Sequence, residues 1–334
     1  MSSESKPYIG GQAVIEGVMM RSPASLSVAV RRPDGSIAVR DGGLVRGPRT
    51  ASLARWPLLR GVATLVEALS LGFSALQFSV DQQMTEQERK EAEGQKNATV
   101  WISVIFALGL FVALPQGLTA GLSSLLGQTF GVQTVAFHAI TGGFKLLVFT
   151  AYISLIGLLP DMRRVFQYHG AEHKTIYAYE AGLPLDVDHV DTQSTLHPRC
   201  GTTFLVIVIL VSIVVGAVVT PLLLPDVEGV LAHLLTLVLR ILLLPVIAAG
   251  SYELQRVLAR FCTQGPLQVL LWPGFLFQKI TTRAPTRDQI EVAIAAMQAA
   301  RECELRAAES SPEEQLRIFP DFNVLTQSLT RDRA

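Results

Sequence analysis

Four stretches of this chain stay apolar for about twenty residues at a time, the length a helix needs to cross the hydrocarbon of a bilayer. They run from Val100 to Leu126, His138 to Leu159, Thr203 to Leu224 and Val230 to Gly250, and each is predicted to be a transmembrane helix. A further stretch, Pro57 to Val80, is apolar at helical spacing but interrupted by Arg60 and Glu67. It reads as a helix lying in the interface or along the bundle in preference to a fifth span. Near the start, Leu26 to Arg32 and Ser36 to Arg40 alternate apolar and polar residues around Pro33-Asp34-Gly35, the pattern of a β-hairpin with a tight turn. Residues 85–97 form a charged, solvated connector. After the last span, Ser251 to Phe261 is an amphipathic extension that Gly265-Pro266 breaks. Thr286 and Gln289 open a helix to about Ala308, and Ser311, Pro312 and Glu314 open a shorter one.

The expected fold is mainly α: a polytopic bundle of about four transmembrane helices, with a small N-terminal β-hairpin region and cytosolic C-terminal helices. It divides into a hairpin region (1–56), an apolar helix and connector (57–98), a first helix pair (99–160), a polar loop (161–202), a second helix pair (203–250) and a helical tail (251–334).

Composition agrees with a multi-pass membrane protein. The 334 residues are 49% hydrophobic and only 17% charged, and the apolar residues are segregated rather than dispersed. With 28 basic and 28 acidic residues the net charge is zero, which does not suit a basic nucleic-acid binder. Cys200, Cys262 and Cys303 lie too far apart for a disulfide framework and suit a reducing compartment. The first residues lack the basic-then-apolar order of a signal peptide. Basic residues mark the sidedness. Arg21, Arg31, Arg32, Arg40, Arg46, Arg49, Arg55 and Arg60 precede the first span; Arg163, Arg164, Lys174 and Arg199 lie between the second and third; Arg256, Arg260, Lys279, Arg283 and Arg287 follow the fourth. Residues 127–137 and 225–229 hold no Lys or Arg. The positive-inside rule therefore puts both termini and the 161–202 loop in the cytosol of a cell (plasma or inner) membrane.

The chemistry is concentrated in that loop. His169, Glu172 and His173 form an H-x-x-E-H string in a segment that starts at Pro160 and meets Gly182 and Pro184, the signals of a helix start and stop. Gly170 opposes helix by about 1 kcal/mol. On a helix the two imidazoles stand about 6 Å apart along the axis on one face, a spacing that a tetrahedral ion accepts, with a carboxylate beside them to carry protons. Glu180 shares their face but lies about 10.5 Å of rise beyond His173, too far to join the same ion. Further ligands are offered by His197-Pro198-Arg199-Cys200-Gly201, a turn just ahead of the third span. Both His197 and Cys200 would close a zinc shell; one alone would leave room for water, as catalysis requires.

The plainer account is that two histidines at a membrane surface hydrogen-bond headgroups or a neighbouring loop. Against it, four of the six histidines fall between residues 169 and 197. His189 sits among acidic residues and reads as solvated, while His138 and His233 read as interfacial. Cys262 and Cys303 read as packing residues. Lys145 and Arg240 lie within spans, where a charge is costly enough to be functional or paired, and Glu67 is the expected partner.

Four ordered blocks carry a family resemblance: Gly10-Gly11-Gln12-Ala13-Val14-Ile15-Glu16-Gly17-Val18-Met19-Met20-Arg21, Tyr168 to Lys174, His197 to Thr202, and Thr281-Thr282-Arg283. From about residue 9 to about residue 300 the chain resembles the bacterial and plastid DUF1385 family. The resemblance implies a multi-pass protein of a kind labelled a metal-dependent enzyme, with no established substrate. It also draws attention to Glu16 and Arg21 in a glycine-flanked loop, as a further ligand and an anion clamp, with Arg199 a third group for binding. Two functions follow. One is a zinc-dependent hydrolase in which His169, His173 and one or both of His197 and Cys200 hold the ion and Glu172 takes the proton of water, acting on a peptide, lipid-linked or small anionic substrate. The other is a transporter, channel or membrane assembly factor with a structural metal, its path marked by Arg240 and Lys145.

Overall fold

The computed structural model describes residues 7–44, 59–93, 96–127, 130–225, 227–262, 265–309 and 313–331. Pro57, Arg46, Arg49, Arg55, Ser311 and Pro312 lie outside them.

Five strands, β1 (Gly10–Val14), β2 (Gly17–Arg21), β3 (Ser25–Arg31), β4 (Ile37–Gly43) and β5 (Gln315–Phe319), form one antiparallel sheet in the order β1-β2-β3-β4-β5. The expected hairpin is β3 and β4, paired from Arg31↔Ile37 to Ser25↔Gly43. Its turn is set by Gly35 at φ 86° and by the Asp34 carboxylate, which accepts from the Ser36 N–H at 3.0 Å. The sheet extends further than the hairpin because Gly10 to Arg21, read as a loop, is a second hairpin. It also recruits residues 315–319 instead of leaving them to a helix. β4 has an open edge, and Gln315-Leu316-Arg317-Ile318-Phe319 satisfies its N–H and C=O groups while Arg317 reaches the buried Asp41 at 3.1 Å. The terminal helix starts later, at Phe322.

The helices are α1 (Leu59–Gln83), α2 (Glu86–Glu93), α3 (Lys96–Leu108), α4 (Leu114–Leu125), α5 (Val135–Ile156), α6 (Pro160–Ala181), α7 (Val187–Asp191), α8 (Gly201–Leu223), α9 (Gly229–Phe261), α10 (Trp272–Thr281), α11 (Arg287–Glu309) and α12 (Phe322–Arg331). A π-turn, Gly109–Ala113, joins α3 to α4. Strand alternation gives the sheet two apolar faces. Val18, Met20, Ala29, Ile37 and Val39 pack under α6 and α11, where the alanines of α11 allow close approach. Val14, Met19, Val28, Val30 and Ala38 pack against Ala75 and Phe78 of α1.

Five segments are long and apolar enough to cross a membrane: Arg60–Gln83, Thr99–Leu125, Val135–Ile156, Gly201–Leu223 and Gly229–Phe261. The sheet decides how many do. β4 precedes them all and β5 follows them all, yet the two strands are hydrogen-bonded. The chain between must cross an even number of times, and α1 is the helix that cannot. From Gly72 onward it lies on the sheet, with Gln83 Nε2 donating to the Arg31 carbonyl at 2.9 Å and the Arg40 guanidinium over the Phe78 ring. The thirteen residues from Leu59 to Leu71 then span only about 20 Å, against a hydrocarbon core of about 30 Å. Four helical segments cross, and the sheet, α6 and α11 share one side.

Candidate metal centre

α6 is begun by Pro160 and ended by Gly182, whose left-handed φ of 74° caps it. Gly170 is no packing accident: a Cβ there would stand 2.1 Å from the Arg283 carbonyl oxygen, so glycine lets the chain after α10 cross the helix. That crossing brings in a hydrogen-bond acceptor. His169 Nδ1 donates to the Thr281 carbonyl at 2.9 Å, and His173 Nδ1 donates to the Thr195 carbonyl. Because carbonyls only accept, both neutral rings carry their proton on Nδ1 and present the Nε2 lone pair. The two rings are 4.4 Å apart by centroid. His169 Nε2 lies 3.2 Å from Cys200 Sγ, and one ligand atom from each of His169, His173 and Cys200 falls within 4.8 Å of the others. Cys200 is buried at the N-terminus of α8, where the Thr202 N–H faces its sulfur at 3.4 Å. Burial pushes the His173 pKa down.

His197 is beside the three but turned away. Its ring is 5.6 Å from that of His173 and 4.7 Å from Tyr177. Nδ1 accepts from the Arg199 N–H at 3.3 Å, which leaves the proton on Nε2, 3.6 Å from Glu180 Oε2. Burial pushes its pKa down to about 4. Gln278 of α10 holds this turn, accepting from the His197 N–H and donating to its carbonyl, each at 2.8 Å. Thr195, Gln278 and Thr281 thus orient the cluster. Sequence reasoning pointed only to Thr281, through the Thr281-Thr282-Arg283 block.

Glu172 is 5% exposed and faces Gly11 of β1. Among the described residues no hydrogen bond to its carboxylate is formed. Burial pushes its pKa up, and the nearby His169 and His197 oppose this in part. A cavity of about 560 Å³ joins these groups, with His169, Glu172, His173 and Cys200 among its lining residues. Its apolar wall comes from Phe111, Phe149, Tyr152, Ile153, Ile156 and Leu205 of the membrane helices. Arg199 also lines the cavity, stacked on the Tyr8 ring at 4.4 Å and ion-paired with Glu180.

Residues 56–303 match the family model described as a protein of unknown function (DUF1385). The chain belongs to the DUF1385 family. It is also 35% identical over 301 residues to a Bacillus subtilis (strain 168) protein described as uncharacterized protein YqhQ, covering 86% of this chain and 90% of that one. No solved structure matches it.

Other sequence-derived candidates in this DUF1385 chain fall elsewhere. Glu16, at φ 53° in the β1–β2 turn, is held by Arg164 and by the Tyr168 hydroxyl at 3.3 Å, and it does not line the cavity. Arg21 pairs with Glu67 at 2.7 Å. That pairing corrects the expected partnership of Glu67 with the membrane charges, because α1 lies against the sheet. Arg240 instead donates to Gln116 Oε1 and His138 Nδ1, each at 3.1 Å, and Lys145 donates to Ser212 at 2.9 Å. His138 is therefore a buried bundle residue and not an interfacial one. The cavity beside Lys145 and Arg240 measures about 20 Å³, room for about one water.

Proposed function

We propose that this DUF1385 protein is a metal-dependent hydrolase of the cell membrane whose site opens at the cytosolic face. The supporting observation is the pair of Nδ1–H bonds to Thr281 and Thr195, which aims both Nε2 lone pairs at the space beside Cys200. The donor set fits a resident ion: His169, His173 and Cys200 would hold it, zinc being favoured by mixed imidazole and thiolate ligands. An ion held by these three donors would supply Lewis acidity to a water or substrate bound beside them. Glu172, whose carboxylate has no hydrogen bond among the described residues, takes the proton of the attacking water. It delivers that proton to the leaving atom, so the water oxygen ends on the substrate carbonyl and the broken bond receives the hydrogen. The apolar wall accommodates a substrate with an apolar portion, and Arg199 offers an anionic one a cation. The cytosolic side follows from the Lys and Arg residues flanking the four crossings on the side of the sheet.

A structural ion that ties α6 to the start of α8 is the second reading, favoured by the burial of His173 and Cys200. Metal analysis of detergent-purified protein, with hydrolysis of labelled casein and of a fluorescent phospholipid, separates them. The hydrolase reading expects about one ion per chain in wild type and in Glu172→Gln, loss of the ion in Cys200→Ala, and turnover that disappears in Glu172→Gln. A retained ion with no wild-type turnover supports the structural reading. Absence of stoichiometric metal overturns both and returns attention to transport through Arg240 and Lys145.

A further inference from the structure

β1 is an edge strand, and its outer side adjoins the candidate metal centre. The register fixes which backbone groups point outward. Ser22 N donates to Ser25 O at 2.9 Å and Arg31 N to Glu16 O at 2.8 Å, so the even-numbered residues of β2 bond to β3. The odd-numbered ones, Gly17, Met19 and Arg21, bond to β1 through Val14, Gln12 and Gly10. Gly11 and Ala13 therefore direct their N–H and C=O groups away from the sheet, and no hydrogen bond among the described residues uses them. The edge is not buried: Gln12 is exposed, Gly10, Gly11 and Ala13 are half-buried, and Tyr8 is 58% exposed. The 560 Å³ cavity touches Gly10, Gly11 and Gln12 on the α6 side, and a second cavity of about 420 Å³ touches the same residues on the α1 side. Open space thus wraps the strand. The other sheet edge, β5, adjoins neither cavity.

We infer that the outer edge of β1 docks an extended polypeptide, so that the substrate of this site is a protein segment. Only a strand supplies donors and acceptors alternating at the spacing that Gly11 and Ala13 present. A segment paired at Gly11 runs beside Glu172, since that carboxylate sits over Gly11 on the sheet face where a Cβ would stand. The apolar wall of the cavity then receives the side chains that alternate toward the bilayer. The chemistry rests on the hydrolase reading: the water oxygen joins the amide carbonyl carbon, the C–N bond breaks, and Glu172 returns its proton to the departing nitrogen. A lipid-linked substrate has no use for the edge and is the competing outcome.

The experiment uses full-length Glu172→Gln protein in detergent and fluorescein-labelled β-casein, an unfolded chain. Anisotropy is expected to show saturable binding, and Ala13→Pro in the same background is expected to weaken it about tenfold, one hydrogen-bond donor being lost at the edge. Ala13 donates nothing inside the sheet, so the proline spares the ladder; metal content and thermal unfolding verify that variant. Hydrogen exchange needs no substitution at the edge: the amides of Gly11 and Ala13 should exchange quickly in free protein and about tenfold more slowly with casein bound. Unchanged exchange at both amides, or Ala13→Pro binding like its parent, overturns strand docking. So does wild-type hydrolysis of a fluorescent phospholipid with none of casein, although that result would sustain the hydrolase. Casein bound at β1 but left intact by metal-loaded wild type would instead overturn the hydrolase reading and leave the docking strand.

Discussion

A Cβ added to Gly11 would stand 2.7 Å from both Cγ and Oε1 of Glu172. Glycine in β1 is what lets the carboxylate occupy its place on α6. Gly11→Ala is expected to displace the Glu172 side chain and cost about 1–3 kcal/mol through overpacking, and under the proposed hydrolase function to lower turnover by about 100-fold through misplacement. Metal content should not change, because the three atoms nearest that Cβ all belong to Glu172 and none to His169, His173 or Cys200. Parallel metal analysis and casein hydrolysis check this, and full activity would show that the contact does not position the acid.

Asp41 is fully buried between Arg306 of α11 and Arg317 of β5. Replacing it with alanine leaves Arg306 without its carboxylate and Arg317 with Glu302 alone, a loss of about 1–3 kcal/mol for charge-assisted hydrogen bonds to part-buried guanidinium groups. Denaturant unfolding in detergent should show the drop. Limited proteolysis should cut the chain between α11 and β5 sooner than in wild type.

Arg240 joins α9 to α4 and α5 through Gln116 and His138. Arg240→Met is expected to lower stability by about 1–3 kcal/mol, because Gln116 Oε1 and His138 Nδ1 lose a donor where water is scarce. Metal content and hydrolysis in detergent should stay at wild-type levels at temperatures where the variant is folded. Selective loss of ion flux in liposomes would instead assign Arg240 to transport.

Cys303, on the sheet side of α11, is fully buried, and that burial pushes its thiol up to about 11. A raised pKa keeps the neutral thiol dominant at every pH below that value, so alkylation by iodoacetamide should be slow at pH 8 and rise about tenfold per pH unit until the fold is lost. Mass spectrometry of the tryptic peptide measures it. Rapid modification of native protein at pH 8 would mean that α11 lifts from the sheet.

The parts of this fold that were legible in sequence are those written locally. Four spans announce themselves by length and apolarity, β3–β4 by alternation around Pro33-Asp34-Gly35, and α6 by Pro160 and Gly182. The His169, His173 and Cys200 grouping was within reach because two members lie one helical turn apart and the third sits at the next membrane entry. What escaped is non-local. Gly10-Gly11-Gln12-Ala13-Val14 is poor in β-branched residues and becomes a strand because β2 pairs with it. Gln315 to Phe319 becomes one because β4, some 270 residues earlier in the chain, offers an edge. His197 looked equivalent to Cys200 in sequence, and the Arg199 N–H on its Nδ1, with Glu180 beside its Nε2, separates their roles.

The pairing of β4 with β5 sets an order of assembly. A nascent chain exposes the β1–β4 face, with Val18, Met20 and Ile37, long before α11 exists to cover it. Both helix hairpins must enter the bilayer before Thr281 can reach His169, and α11 and β5 must follow before the sheet is sealed. The centre therefore forms only after both hairpins are inserted, and a chain truncated before residue 287 would carry the spans and the H-x-x-E-H helix without α11 and β5 to cover and close the sheet. In such a protein, insertion into the membrane sets when the two histidines and Cys200 can be brought together.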